Sequence, residues 1–281
     1  MRHILNCAGK PLDLSRPCVM GILNVTPDSF SDGGRFLSCE AALAQARRMA
    51  EEGADIIDIG GESTRPGADD VTIEQELARV IPVIEAVAAA IPVPVSIDTS
   101  KPEVMRAAVA AGAGLINDVR ALRAPGALGA AADLKVPVCL MHMQGEPRRM
   151  QANPVYDDVV NEVGDFLRER VAACTAAGIP RDRIVIDPGF GFGKTVAHNL
   201  ELLRGLPELR EMGLPMLAGL SRKSMIGALL NLPVEERLQA SVALALIAVQ
   251  NGASIVRVHD VRATRDALRM WMAVYPASGE K

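Results

Sequence analysis

Aromatic residues and long apolar runs are both scarce in this chain. Phe, Trp and Tyr make up only 3% of the 281 residues, although 49% of all residues are hydrophobic. Aliphatic side chains must therefore fill the interior, which is typical of parallel strands buried on both faces. No apolar stretch reaches the roughly 20 residues of a membrane span, and the start of the sequence lacks the apolar segment of a signal peptide. We therefore expect a soluble protein with no membrane partner.

Cysteine is sparse as well, and its spacing fits neither a metal site nor a disulfide framework. The five cysteines are Cys7, Cys18, Cys39, Cys139 and Cys174. An odd and scattered set is typical of free thiols in a reducing compartment, so we predict a cytoplasmic location. A strong charge of either sign is also missing, since the formal net charge is −4. That balance gives no reason to expect nucleic acid as a partner.

Eight short apolar runs recur along the chain, and polar residues or glycines follow almost every one. The runs are Val19–Leu23, Ile56–Ile59, Val95–Ile97, Leu115–Ile116, Val136–Met141, Ile184–Ile186, Leu214–Leu220 and Ile255–Val258. Segments with helical spacing alternate with them: Ala41–Glu52, Ile73–Ala90, Pro102–Ala111, Pro125–Ala132, Asp157–Ala177, Ala197–Leu203, Val234–Asn251 and Arg262–Tyr275. The pattern predicts a single α/β domain over residues 1–281, a (β/α)8 TIM barrel whose site lies at the carboxyl ends of its strands.

Turn and cap signals support this organisation. Residues 1–16 predict a β-hairpin that covers one end of the barrel, and residues 277–281 a frayed tail. Left-handed glycines are expected after four helices, at Gly53, Gly112, Gly178 and Gly252. Ser100 is the expected N-cap of the helix that begins at Pro102.

Three connections are longer than a barrel needs, and all of them follow strand ends. They are Asn24–Phe36, Glu62–Asp70 and His142–Tyr156. Long loops over a barrel mouth are often lids. A tolerated surface insertion is the alternative, above all for the third connection.

Three polar residues at strand ends form the centre of the predicted site. Asp98, Asn117 and Asp187 each follow an apolar run, so each is expected at the barrel mouth against apolar walls. A carboxylate there needs hydrogen-bond donors, and a 2-amino-4-oxo pyrimidine ring offers two adjacent N–H groups. A Mg²⁺ site or caps of the following helices remain alternatives.

The first two loops carry further candidates. Asn24 offers an oxygen suited to Mg²⁺, and Phe30 is an exposed aromatic residue in a turn-rich segment. Arg65 follows two glycines and offers a fork for a phosphate, although an ordinary surface arginine fits equally well.

Cations cluster after the last two predicted strands. Lys223 can hydrogen-bond a carbonyl or ring nitrogen, and Ser224 opens a short helix whose N-terminus suits a carboxylate or phosphate. Arg257 and His259 alternate on one strand face and predict an anion site. We assign no role to His142.

The segment Pro188–Thr195 resembles a phosphate-binding Walker loop, but proline stands where that pattern needs glycine. We interpret it as a flexible loop in which Phe192 stacks near a flat ligand.

Taken together, the motifs resemble the dihydropteroate synthase family. They are Gly21–Phe36, Asp58–Ala68, Ser96–Ser100, Ile116–Val119, Met141–Gly145, Asp187–Lys194, Ser221–Gly227 and Arg257–Asp260, in the order of the family. The resemblance implies that 6-hydroxymethyl-7,8-dihydropterin pyrophosphate and p-aminobenzoate are joined, with Mg²⁺ as cofactor, to give 7,8-dihydropteroate and pyrophosphate. It also implies inhibition by sulfonamides and a homodimer formed through the late helices.

The resemblance further implies roles for individual residues. Pterin contacts are implied for Asp98, Asn117, Asp187 and Lys223, and pyrophosphate contacts for Arg65, Arg257 and His259. Asn24 is implied as a metal ligand, Ser224 as the p-aminobenzoate carboxylate site, and Phe30 and Pro66 as residues that close over its ring. The remaining substrate-binding candidates are Thr64, Met141, Phe192 and Gly219, and the candidate catalytic residues are Asp32, Lys223, Arg257 and His259.

A dissociative substitution is the expected mechanism, because cations and Mg²⁺ would stabilise the departing pyrophosphate. Two alternatives remain open at this point. One is a methyltetrahydrofolate-dependent methyltransferase barrel, and the other a non-catalytic pterin-binding homologue.

Overall fold

The computed structural model describes residues 4–25, 35–62, 71–145, 150 and 153–276, with the backbone alone at 35–38. Within these ranges the strands are β1 (Ile4–Cys7), β2 (Lys10–Asp13), β3 (Cys18–Asn24), β4 (Ile56–Gly60), β5 (Val95–Asp98), β6 (Leu115–Asp118), β7 (Val138–Met141), β8 (Ile184–Asp187), β9 (Leu217–Ala218) and β10 (Ile255–Val258). Strands β3 to β10 form one parallel sheet in the order β8-β7-β6-β5-β4-β3-β10-β9. A bridge between Ile186 and Met216 joins the two edges, so the predicted TIM barrel is confirmed.

Helices follow the strands and cover the outside of the barrel. They are α1 (Arg35–Glu51), α2 (Ile73–Ala90), α3 (Pro102–Ala110), α4 (Ala127–Leu134), α5 (Val159–Ala176), α6 (Val196–Arg204), α7 (Leu206–Arg210), α8 (Ser224–Leu230), α9 (Leu238–Gln250) and α10 (Val261–Val274). The expectation that the first loop extends to Phe36 is wrong, since α1 begins at Arg35. The predicted helix Val234–Asn251 is divided into a 3₁₀ turn, Val234–Glu236, and α9. Among the described helices, none is long and apolar enough to cross a membrane.

The hairpin β1–β2 closes the amino-terminal end of the barrel, as predicted. Ala8 and Gly9 both have positive φ, at 52° and 88°, which suits the tight turn between right-twisted strands. Leu5, Cys7 and Leu12 pack against the first inward-facing side chains of the barrel strands. The hairpin is therefore a structural plug at the end opposite the predicted site.

The cap predictions have mixed outcomes. The four glycines after helices have φ between 92° and 112°, which confirms their left-handed conformation. The assignment of Ser100 as an N-cap is wrong. Lys101 occupies that position, and the Ser100 hydroxyl instead donates to the Asp118 carboxylate. Asp118 is buried and needs that donor, which explains why the hydroxyl turns away from the helix.

Alternation along the strands determines which side chains enter the barrel. In β4, Ile56 belongs to the cluster inside the barrel, whereas Ile57 and Ile59 belong to the cluster beneath the helices. Asp58 and Gly60 share the inward direction of Ile56. Gly60 pairs with Asp98, and Asp98 with Asn117, so neighbouring strands bring their polar ends to one level.

Candidate active site

The carboxyl ends of the strands bring seven of the predicted site residues to the barrel mouth. The inward-facing members are Asn24, Asp98, Asn117, Met141, Asp187, Gly219 and Arg257. The predicted residues Phe30, Asp32, Thr64, Arg65 and Pro66 lie outside the described residues. The mouth therefore combines two carboxylates, two amides and a guanidinium on rigid strand ends.

Arg257 connects two carboxylates across the centre of the mouth. Its Nε donates to Asp58 Oδ2 at 2.6 Å, and its Nη2 donates to Asp98 Oδ2 at 2.9 Å. The amide of Asn117 also donates to Asp58 Oδ2, at 3.1 Å. One buried carboxylate thus orients both a cation and an amide that point towards the ligand space.

Asp58 belongs to this hydrogen-bond network, although the sequence interpretation gave it no role of its own. It is 0% exposed and lies inside an apolar run, whereas the predicted site residues follow such runs. The signal was present in the alternation of Ile56, Asp58 and Gly60, which places an acid on the inward face of a strand.

Burial dominates the electrostatics of the two candidate pterin acids. It raises the pKa of Asp98 to about 7, although Arg257 opposes the shift. It raises the pKa of Asp187 to about 6, although the backbone N–H of Gly189 donates to this carboxylate at 2.7 Å. Burial alone lowers the pKa of Arg257, but the charges of Asp58 and Asp98 outweigh it and raise the pKa. The guanidinium therefore keeps its charge.

Lys223 lies above an aromatic ring at the other side of the mouth. Its Nζ is 4.3 Å from the centroid of the Phe192 ring, which is a cation–π contact. Ser224 is exposed and is the first residue of α8, with Lys223 at the N-cap position. Phe192 and Lys223 are thus in contact although they lie on different loops, and Lys223 directly precedes α8.

The loop after β9 is tied to the end of β10. The Ser221 hydroxyl is 3.0 Å from His259 Nδ1 and accepts from the His259 backbone N–H at 3.2 Å. Arg222 has a φ of 56° and donates to both oxygens of Asp260, at 3.0 and 2.6 Å. These bonds hold Lys223 and His259 on the same rim of the barrel.

Asn24 is exposed at the end of β3, beside Gly60. A Cβ placed on Gly60 would lie 3.9 Å from Asn24 Oδ1 and 3.5 Å from the Asp98 Cβ. The absence of a side chain at Gly60 therefore leaves open space between an amide oxygen and a carboxylate.

Lys194 and His142 form a second group that the sequence interpretation did not assign. Both are buried, and Lys194 Nζ is 2.9 Å from His142 Nδ1. Burial, then Lys194, lower the pKa of His142 to about 2, so its ring is neutral. Burial also lowers the pKa of Lys194 to about 7, against the attraction of Asp187. The pair joins two loops that are far apart in sequence, which no local pattern reveals.

Comparisons with known proteins agree with this geometry. The model of the pterin binding enzyme family matches residues 20–259. The dihydropteroate synthase of Haemophilus influenzae is 58% identical over 264 residues, which cover 94% of this chain and 96% of the relative. The solved structure of Xanthomonas albilineans dihydropteroate synthase with 4-aminobenzoic acid has a TM-score of 0.93 and 60% identity, and covers 98% of this chain and 99% of its own. The Yersinia pestis enzyme, solved as a sulfonamide drug complex, has a TM-score of 0.93 and 54% identity, with 98% and 100% covered.

The barrel and the polar groups at its mouth thus define the class, and the chain belongs to the pterin binding enzymes. Within that class its activity is that of a dihydropteroate synthase, a transferase of folate biosynthesis. The methyltransferase and binding-only alternatives are not favoured.

Proposed function

We propose that the barrel mouth joins 6-hydroxymethyl-7,8-dihydropterin pyrophosphate to p-aminobenzoate and releases 7,8-dihydropteroate and pyrophosphate. The observation that carries the residue assignment is the pairing of buried acids with cations at one end of the barrel. Asp98 and Asp187 provide acceptors for a pterin, and Lys223 and Arg257 provide positive charge.

The pterin ring is bound by groups that complement its edge. A carboxylate accepts side by side from the ring N–H and the exocyclic amine, while the Asn117 amide both donates and accepts. Asn117 is oriented by its bond to Asp58, so its donor direction is preset. Lys223 then donates to a carbonyl oxygen or a ring nitrogen of the pterin. Met141 lies buried beside Asp187 and supplies an apolar wall.

The pyrophosphate group faces Arg257 and His259, and the carboxylate of p-aminobenzoate faces Ser224 at the N-terminus of α8. Positive charge at the departing pyrophosphate favours cleavage of the methylene C–O bond. The neutral aromatic amine then attacks the methylene carbon and afterwards loses a proton. Positioning of that amine is the main requirement, since it needs no strong base.

The residues present fit a bound Mg²⁺, although the described residues contain no group of three His, Cys, Asp or Glu side chains suited to a metal. Mg²⁺ usually takes one or two protein oxygens and keeps waters and substrate phosphates as its other ligands. The exposed Asn24 oxygen beside the open space at Gly60 suits that role. When bound, the metal would add positive charge to the leaving pyrophosphate.

The first test is a direct assay with dihydropterin pyrophosphate, p-aminobenzoate and Mg²⁺. We expect dihydropteroate and pyrophosphate in equal amounts, and loss of both in Lys223→Ala and Arg257→Ala. Pterin binding by calorimetry without any product would instead support a methyltransferase or a binding protein. An α-secondary deuterium isotope effect near unity at the methylene would contradict a dissociative transition state.

Three further assignments belong to the same proposal. Apolar side chains exposed on the late helices, Ile247 on α9 and Met270 on α10, support a homodimer, which light scattering would test. The sulfonamide complex of the Yersinia pestis relative supports competition between sulfonamides and p-aminobenzoate here. The five cysteines are all free and most are buried, which supports a reducing cytoplasm.

A further inference from the structure

The buried amino group of Lys194 lies beside the loop that carries Phe192. Lys194 is only 3% exposed. Its Nζ donates to the carbonyl of Gly189 at 2.9 Å and to the carbonyl of Phe192 at 3.1 Å, and lies 2.9 Å from His142 Nδ1. In its protonated form this group has three hydrogens, and the three contacts use all of them.

Two aromatic rings pack against the His142 ring, which contacts Lys194 Nζ through Nδ1. Its ring makes an edge contact with the Phe166 ring, with centroids 4.9 Å apart, and a tilted contact with Tyr156 at 6.1 Å. In the tautomer with its proton on Nε2, the buried neutral ring accepts at Nδ1 and brings no second charge into an apolar environment. The Tyr156 hydroxyl in turn donates to the carbonyl of Gly193 at 2.8 Å.

The loop between β8 and α6 therefore lies flat against the segment that follows β7. Gly189 and Gly193 have φ of 69° and 61°, and a Cβ on either would overlap the backbone carbonyl of His142 or Gln144. Lys194 Nζ donates to two backbone carbonyls of the same loop, those of Gly189 and Phe192. The backbone of Phe192 is thus fixed by a side chain that is itself out of reach of any substrate.

The position of Phe192 matters because Lys223 rests on it. The Lys223 ammonium lies over its ring, and the Lys223 chain runs past Gly191, where a Cβ would be 3.2 Å from the Lys223 Cδ. We propose that Lys194 and His142 are positioning residues, which hold the 188–193 loop so that Phe192 supports Lys223 in its pterin-binding orientation. This inference rests on the proposed role of Lys223 in holding the pterin.

The test compares variants that remove the donor, Lys194, or the acceptor, His142, with a variant that keeps an acceptor at position 142. Lys194→Met keeps the length of the side chain but cannot donate, and His142→Leu cannot accept. For both we expect the KM for dihydropterin pyrophosphate to rise about tenfold with a much smaller change in kcat. His142→Asn places an amide oxygen near the position of Nδ1, so its KM should stay close to that of the unmodified protein.

A matched control exists at the opposite end of the barrel. Lys10 Nζ also donates to three backbone carbonyls, those of Ala88, Ile91 and Val93. Lys10→Met therefore removes a comparable set of bonds far from the mouth, and we expect an unchanged KM.

A double-mutant cycle tests the route through Phe192. If Lys194 acts by placing that ring, Lys194→Met should raise KM little further in a Phe192→Leu background. Additive effects, or a lower kcat at unchanged KM in both Lys194→Met and His142→Leu, would overturn the inference. If Lys223→Ala left the calorimetric affinity for the pterin unchanged, the assigned role of Lys223 would fail instead.

Discussion

At the scale of single residues, the buried acid Asp58 contacts two of the groups that we propose bind the ligand. Asp58 accepts from both Asn117 and Arg257, and its other oxygen, Oδ1, is buried without a hydrogen-bond partner among the described residues. Burial of a carboxylate oxygen without a hydrogen bond lowers the stability of the folded protein. We infer that Asp58 is kept because it orients Asn117 and Arg257.

Asp58→Asn tests this function of the carboxylate. We expect kcat/KM for the pterin substrate to fall by about tenfold or more, since the variant loses the charge that orients Arg257. The Asp58 charge also helps to raise the pKa of Asp98, so the pH dependence of pterin binding should move to lower pH. Asp133→Asn removes an acid of an exposed ion pair with Arg106 and should change neither quantity. An unaltered kcat/KM in Asp58→Asn would show that the carboxylate is only structural.

At the scale of secondary structure elements, the hairpin and the barrel meet at very short distances. A Cβ on Gly114, just before β6, would lie 2.5 Å from the backbone carbon and oxygen of Cys7 in β1. Such a distance requires one element to move, because backbone atoms have no alternative rotamer.

Gly114→Ala is therefore expected to destabilise the protein by about 1–3 kcal/mol, through displacement of the hairpin. Gly129→Ala is the matched control, because Gly129 lies in α4 with nothing within 4 Å of its Cβ position. That variant should stabilise the protein by up to about 1 kcal/mol, since alanine loses less backbone entropy in a helix. Urea unfolding of both variants measures the difference. If Gly114→Ala had the same free energy of unfolding as Gly129→Ala, the hairpin would be able to move without loss of stability.

The elements also explain why much of the fold was predictable and part of the site was not. Most strands of the barrel are short apolar runs followed by a polar residue or a glycine, so strands and mouth residues such as Asp98 and Asp187 follow from local pattern. Asp58 was hidden by the apolar residues around it. Lys194 and His142 meet only because two loops pack together, 52 residues apart in sequence. Contacts of that kind depend on the tertiary structure and leave no periodic signal.

At the scale of the whole molecule, two acids from strands far apart in sequence have their pKa values raised by burial in the same barrel mouth. Burial in the barrel mouth is the largest cause that raises the pKa of both candidate pterin acids, to about 7 for Asp98 and about 6 for Asp187. A group with a raised pKa favours the folded state when it is protonated, so its contribution to stability falls as pH rises from its ordinary value through the raised one. The ligand reverses this balance, because its N–H groups need ionised carboxylates.

Pterin affinity should therefore increase with pH. Below about pH 6 both acids are largely protonated in the free protein, and the ligand must displace those protons before its N–H groups can be accepted. As the pH rises through about 7, the raised pKa of Asp98, both carboxylates become ionised, and the affinity should reach a plateau at higher pH. Calorimetric titration with 6-hydroxymethyl-7,8-dihydropterin between pH 5 and 8 measures the dependence. Asp187→Asn should weaken binding and make the remaining pH dependence less steep, since one proton no longer takes part. An affinity that stayed constant or fell as the pH rose would mean that the pterin binds to protonated acids, and would exclude the carboxylate recognition proposed here.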